Sequence, residues 1–141
     1  MKTIILFTIR ITLGLLLVYG GINKFLPKAP KPSTSVVSQE LPDHVVKIKA
    51  FVGGLKQSGY FWPFLGVAEI LCGLLLLSQV FSLLGAVMAV PLTLNIFLFH
   101  VFLEGHDLPD LFLTGLYLSA NLVLLAFDYP RLKFIFLNQN I

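Results

Sequence analysis

Four long, uninterrupted apolar segments limit what this chain can fold into more than any other feature. They cover about residues 3–22, 60–77, 80–103 and 108–127. A helix needs about 20 apolar residues to cross a bilayer, and only helices or closed barrels satisfy their backbone in lipid. The segments are continuous rather than alternating, and they are too long for barrel strands. The sequence therefore predicts an all-α integral membrane protein, an up-down-up-down bundle of four helices in a single domain.

Composition excludes a small soluble domain. Of the 141 residues, 57% are hydrophobic and 12% are charged, whereas soluble domains carry about 25% charged residues. A domain of this size could not hide so much apolar surface from water. The first apolar segment contains Arg10 and is followed by no cleavage motif, so we expect a retained transmembrane helix rather than a signal peptide.

The long connection between the first two apolar segments, residues 23–59, divides into two parts. Residues 27–38 are rich in proline and lysine and predict an extended linker. Between residues 43 and 55, apolar side chains recur at helical spacing among lysines, which favours a short amphipathic helix on the membrane surface. An ordinary loop stays open as the alternative, because Gly53 and Gly54 weaken a helix.

Charge and cysteine content narrow the function classes further. The net charge is +3, but the lysines flank apolar runs, which is typical of contact with lipid headgroups rather than nucleic acid. Lys and Arg alone would place the long loop in the cytoplasm; acidic residues dilute the charge of that face, and we leave the orientation open. Cys72 is the single cysteine, so no disulfide or thiol redox pair can form within one chain.

Ionisable or polar residues inside the apolar segments mark candidate sites, because they are costly in lipid. Counted at about 1.5 Å per residue, a first layer lies about 10–15 Å from the face that carries the termini. Its members are Arg10, Glu69, Tyr117 and Asn121. We expect Arg10 and Glu69 to be in contact, either as a structural ion pair or as part of a pocket for a quinone headgroup or a proton relay.

A second polar layer is predicted near the opposite face, consisting of Lys24, Asn95, His100, Glu104 and Asp110. His100 and Glu104 are four residues apart and supply only two metal ligands. No second intramembrane histidine is present to complete a bis-histidine haem site. We therefore expect no metal site and no intrinsic cofactor. The sequence also has no phosphate-binding loop and no nucleophile motif.

Short motifs occur in three of the predicted helices: Arg10-x3-Gly14 with Gly20-Gly21-x2-Lys24-Phe25, then Gly66-x2-Glu69-x3-Gly73, then Asn95 with His100. In these motifs the chain resembles the DoxX family of small four-helix membrane proteins. Ser78 stands where the family usually has glycine, and the first loop is longer than usual. The resemblance implies a bacterial inner-membrane location and a link to quinone-dependent oxidoreductases or oxidative-stress complexes.

Three functional hypotheses follow. The first is a non-catalytic accessory or anchoring subunit of a quinone-linked membrane oxidoreductase, with a bound quinone as the possible cofactor and a membrane or peripheral oxidoreductase as the partner. The second is a transporter or binding protein for a small molecule or lipid that uses the intramembrane polar layer. The third is a purely structural scaffold. Whether the chain forms a homo-oligomer is left open.

Overall fold

The computed structural model describes residues 1–27, 42–105 and 107–137, and within these ranges the chain is helical with no strand. The predicted proline-rich linker lies almost wholly outside the described residues. Six helices follow one another along the chain: α1 (Lys2–Asn23), α2 (Asp43–Gln57), α3 (Phe61–Leu77), α4 (Ser82–Leu103), α5 (Leu108–Phe127) and α6 (Tyr129–Leu137). The four predicted long helices correspond to α1, α3, α4 and α5, with bounds shifted by two residues at most.

Three of these helices, α1, α4 and α5, are long and apolar enough to cross a membrane. Helix α3 has 17 residues and meets the same criterion only together with α2, from which it is bent by 89°. The structure therefore shows an all-helical chain with three candidate membrane spans. A fourth crossing by α3 stays a prediction.

Glycines bring α1 and α3 into direct backbone contact. Gly14 faces Gly73, and Gly21 faces Gly66. Gly21 lies seven residues after Gly14 whereas Gly66 lies seven residues before Gly73, so the two helices run antiparallel. A Cβ at Gly73 would lie 2.6 Å from the Gly14 carbonyl oxygen, and one at Gly21 would lie 2.6 Å from the Gly66 carbonyl oxygen. No other residue type fits at these distances. Small residues at membrane helix interfaces permit such close approach.

The remaining long helices complete a common core. Helix α4 packs on α3 and α5, and α5 in turn contacts α1. The turn between α3 and α4 needs only residues 78–81, where Gln79 has a left-handed φ of 58° and donates from its amide to the Leu76 carbonyl. Buried apolar residues from all four helices meet inside: Leu13, Leu17, Cys72, Leu76, Ala86, Ala89 and Leu124.

Two short helices lie outside this core. Helix α2 occupies the region where an amphipathic helix is predicted, it buries none of its residues, and Phe51 stacks against Phe99 of α4 at 5.8 Å between ring centroids. Helix α6 is not predicted by the sequence analysis, which ends the last helix at residue 127. Pro130 explains the break, because proline cannot continue α5 but fits the first turn of a new helix.

We expect Gly73→Ala to destabilise the protein by about 1–3 kcal/mol, because the added methyl group must push α1 and α3 apart. The free energy of unfolding in detergent measures the effect. Gly54→Ala is the matched control, since Gly54 is also helical but has nothing within 4 Å of an added Cβ. Equal stability of the two variants would contradict the close contact between α1 and α3.

Candidate functional site

A cavity of about 570 Å³ lies between α1, α3, α4 and α5, with α2 across it. Its walls are mainly aliphatic and aromatic, and polar side chains enter it from each of the four long helices. The apolar lining residues include Leu13, Leu16, Leu17, Phe51, Val52, Leu55, Phe61, Leu65, Ile96 and Phe99. The polar lining residues are Lys24, Trp62, Glu69, Thr93, Asn95, His100 and Tyr117.

An ion pair between Lys24 and Glu69 forms the charged part of the cavity wall. The Lys24 ammonium donates to Glu69 Oε2 at 2.6 Å, and the two side chains are only 16% and 4% exposed. Trp62 makes two further contacts with Lys24. Its indole Nε1 donates to the Lys24 carbonyl oxygen at 3.2 Å, and the Lys24 ammonium lies 5.6 Å from the centroid of the indole ring. Both charges are thus fixed in place at the cavity.

The predicted contact between Arg10 and Glu69 is wrong. Arg10 instead donates to Asp128 Oδ2 at 2.9 Å, where α5 ends. Asp128 also accepts from Arg131 of α6 at 3.5 Å. Asp128 was not among the predicted site residues, although it lies seven positions after Asn121 and hence on the same face of α5.

The antiparallel glycine register explains why Glu69 pairs with Lys24. With Gly21 facing Gly66, Glu69 is level with Val18 of α1. Arg10 is eight residues away, about 12 Å along the helix, whereas Lys24 is six residues away, about 9 Å. Helical side chains also lean toward the helix N-terminus. Lys24 therefore reaches back toward Glu69, while Arg10 leans away from it.

Asn121 is fully buried and joins α5 to the backbone of α4 rather than to the cavity. In the amide orientation that satisfies both of its ends, Nδ2 donates to the Ala86 carbonyl at 3.1 Å and Oδ1 accepts from the Val90 N–H at 3.1 Å. Thr93 Oγ1 lies 3.3 Å from the same amide oxygen. These contacts come just before Pro91, which has no N–H to continue the helix ladder.

The two predicted polar layers are therefore regrouped by the structure. Of the first layer, Glu69 and Tyr117 line the cavity, Arg10 lies at the end of α5, and Asn121 is in the helix interface. Of the second layer, Lys24, Asn95 and His100 line the cavity, while Glu104 and Asp110 lie beside His100. Glu69 thus shares its site with the second layer.

Two polar groups in the cavity wall have no protein hydrogen bond among the described residues. They are the Asn95 amide and the Tyr117 hydroxyl. Tyr117 also lines a second groove, of about 390 Å³, which runs between α1 and α5 and shares Leu13 and Leu16 with the cavity. Tyr117 and these two leucines therefore lie between the cavity and the groove.

Double-mutant cycles should distinguish the two pairings of Glu69. We expect Glu69→Gln combined with Lys24→Met to show a coupling of about 1–3 kcal/mol in unfolding free energy, because the single variants each break the same contact. The same Glu69→Gln change combined with Arg10→Met should be additive within about 0.5 kcal/mol. Strong coupling between Glu69 and Arg10 in the second cycle would instead support the contact that was predicted from the sequence.

We expect Asn121→Leu to lower the free energy of unfolding by about 1–3 kcal/mol, because it leaves buried backbone groups of α4 without their partner. Asn95→Leu makes the same chemical change on an exposed side chain without a partner and should cost less than about 0.5 kcal/mol. Thermal unfolding followed by helical circular dichroism is a suitable measurement. A similar loss in both variants would argue against the bridge to α4.

Comparison with known proteins identifies a family whose model matches most of this chain. The family model described as DoxX matches residues 5–101, which include α2, α3 and most of α1 and α4. No curated protein matches the chain. No solved structure matches it either. The matched region contains most of the residues that line the cavity, and Tyr117 of α5 lies beyond it.

Proposed function

Because this chain belongs to the DoxX family, we propose that it is an accessory subunit of a quinone-linked membrane redox system and that its cavity holds the ring of a quinone. The family and the three long apolar helices indicate an integral membrane protein. The observation that carries the proposal is the cavity itself, which combines extensive apolar walls with a few fixed polar groups.

The size and lining of the cavity suit a ring with a hydrocarbon tail. Ligand pockets usually measure about 300–1,000 Å³ and use a small number of polar groups to orient a mainly apolar ligand. At about 570 Å³, the cavity lies within this range. Three helices contribute aromatic rings on which a quinone ring could pack: Phe51 of α2, Phe61 of α3 and Phe99 of α4.

The polar groups offer hydrogen-bond donors to the two carbonyl oxygens of a quinone. The Asn95 amide and the Tyr117 hydroxyl have no other partner among the described residues. Lys24 carries three ammonium protons, one of which is directed to Glu69. The wall can therefore donate to an uncharged acceptor without breaking its own ion pair.

In the proposed topology α1, α3, α4 and α5 all cross the membrane, and α2 lies along its surface. The 89° bend between α2 and α3 supports this arrangement. Phe51, Val52 and Leu55 of α2 then cover the end of the cavity. The groove between α1 and α5 provides a lateral path from the lipid, along which a long tail could extend past Leu16 and Tyr117.

An accessory role is favoured over self-contained catalysis by the chemistry of the side chains. Cys72 is the only cysteine of the chain, and it is buried in the core. Electron transfer to or from a quinone would therefore use a cofactor that a partner oxidoreductase carries. The chain would supply the quinone site and the membrane anchor.

Trp62 allows a direct test, because it is the only tryptophan and lines the cavity. We expect a short-tailed quinone to quench its fluorescence saturably in nanodiscs, at one quinone per chain. Asn95→Leu should raise the Kd by about tenfold through the loss of one hydrogen bond. Leu16→Phe should weaken binding by filling the cavity, whereas Leu15→Phe is the matched control on an exposed position. Quenching that rises linearly and equally in all variants would reject the site.

The accessory role needs a second measurement in native lipid. Purification from native membranes, followed by mass spectrometry and absorption spectroscopy, should recover a quinone and a flavin- or haem-containing oxidoreductase. Recovery of a non-redox solute or lipid in the cavity would favour the transporter hypothesis instead. Recovery of neither ligand nor partner would favour a structural scaffold.

A further inference from the structure

Three metal-ligating side chains converge where α4 ends and α5 begins. His100 belongs to the last turn of α4, Glu104 is its C-cap, and Asp110 lies in the first turn of α5. One ligand atom from each residue can be chosen such that all three lie within 4.8 Å of one another. The four-residue spacing of His100 and Glu104 predicts only two ligands, and the turn between the helices brings Asp110 to them as a third.

A backbone hydrogen bond orients the imidazole of His100. Nδ1 lies 2.8 Å from the Ile96 carbonyl oxygen, and a carbonyl can only accept, so Nδ1 carries a proton. In the neutral ring, Nε2 then presents its lone pair. This nitrogen lies 3.2 Å from Glu104 Oε2, an atom that is itself an acceptor. Two lone pairs at this distance repel unless a cation or a proton lies between them.

Apart from the His100 imidazole, the two carboxylates of the cluster have no basic partner among the described residues. Among the described residues, no Lys or Arg nitrogen lies within 4 Å of the Glu104 or Asp110 carboxylate, whereas Asp43, Glu69 and Asp128 each have one. Two carboxylates and one imidazole nitrogen therefore lie close together with no Lys or Arg side chain among them in the described part of the chain. Glu104 is 32% exposed and His100 16%, so the cluster is accessible from the surface.

We propose that His100, Glu104 and Asp110 bind a divalent transition-metal ion such as Zn²⁺. Zinc accepts one imidazole nitrogen and carboxylate oxygens at about 2.0–2.2 Å and often leaves a fourth position open. A metal-ligating histidine typically donates its other ring N–H to a carbonyl or carboxylate, as His100 does to Ile96. Mg²⁺ and Ca²⁺ prefer all-oxygen ligands, so they bind this site weakly.

Only modest movement is needed to close the coordination sphere. His100 Nε2 and Glu104 Oε2 are already 3.2 Å apart, close to the separation of two ligands on one tetrahedral zinc ion, about 3.4 Å. Asp110 is exposed, so its side chain can turn toward the ion. Since His100 also lines the cavity, the ion would lie at the cavity margin, and the site does not depend on what the cavity binds.

Metal titration of the full chain tests this proposal. Protein purified in detergent without a polyhistidine tag and stripped with a chelator is titrated with Zn²⁺ by calorimetry, and Co²⁺ is added separately for its visible absorption. We expect one saturable Zn²⁺ per chain and a Co²⁺ spectrum that Zn²⁺ displaces. His100→Ala, Glu104→Gln and Asp110→Asn should each weaken Zn²⁺ binding at least tenfold.

Asp107→Asn is the matched control for Asp110→Asn. It removes the same charge three residues away and keeps a side chain that can cap α5. The control should bind Zn²⁺ like the parent chain, and circular dichroism should show equal helix content in all four variants. Unchanged Zn²⁺ affinity in His100→Ala, or equal weakening in Asp107→Asn, would overturn the site. The absence of saturable Zn²⁺ binding to the parent chain would overturn it as well.

Discussion

The backbone contact between α1 and α3 is the constraint on which the rest of the structure depends. Gly14 and Gly73, with Gly21 and Gly66, leave no side chain between the two helices, so neither can slide or rotate without a clash. In lipid, burying apolar surface between helices does not drive their association, and close van der Waals packing stabilises the helix pair instead. The register that results determines the level of every polar group on both helices, including the two that form the ion pair in the cavity.

Polar side chains in this protein perform two distinct tasks. Asn121 and Thr93 are buried in the interface between α4 and α5, where they satisfy each other and the backbone near Pro91. Arg10 and Asp128 join the first helix to the end of α5. Asn95, Tyr117 and Lys24 line the cavity and retain hydrogen-bond donors that no described residue accepts. The first two sets are occupied by protein partners, whereas the cavity set can still bind a ligand.

The sequence predicts the helices and the polar residues well, but not which polar residues meet. Helix bounds follow from the length of apolar runs, whereas α6 was missed, although Pro130 fits the first turn of a new helix. The partner of Glu69 could not be predicted, because the depth count assumed that all helices start at a common plane. In the structure, the first turns of α1 extend beyond the end of α3. Two glycine pairs in antiparallel order were the available signal for this offset.

The Lys24–Glu69 pair has a consequence for the kind of molecule that the cavity can accept. Its two charges cancel, so the wall carries no net charge that an entering ion could neutralise. An anion would have to compete with Glu69 for the ammonium, and a cation with Lys24 for the carboxylate, and each would leave one buried charge alone. The ion pair would therefore favour neutral molecules over ions in the cavity, and because buried charges are poorly screened, this preference should persist as the salt concentration changes.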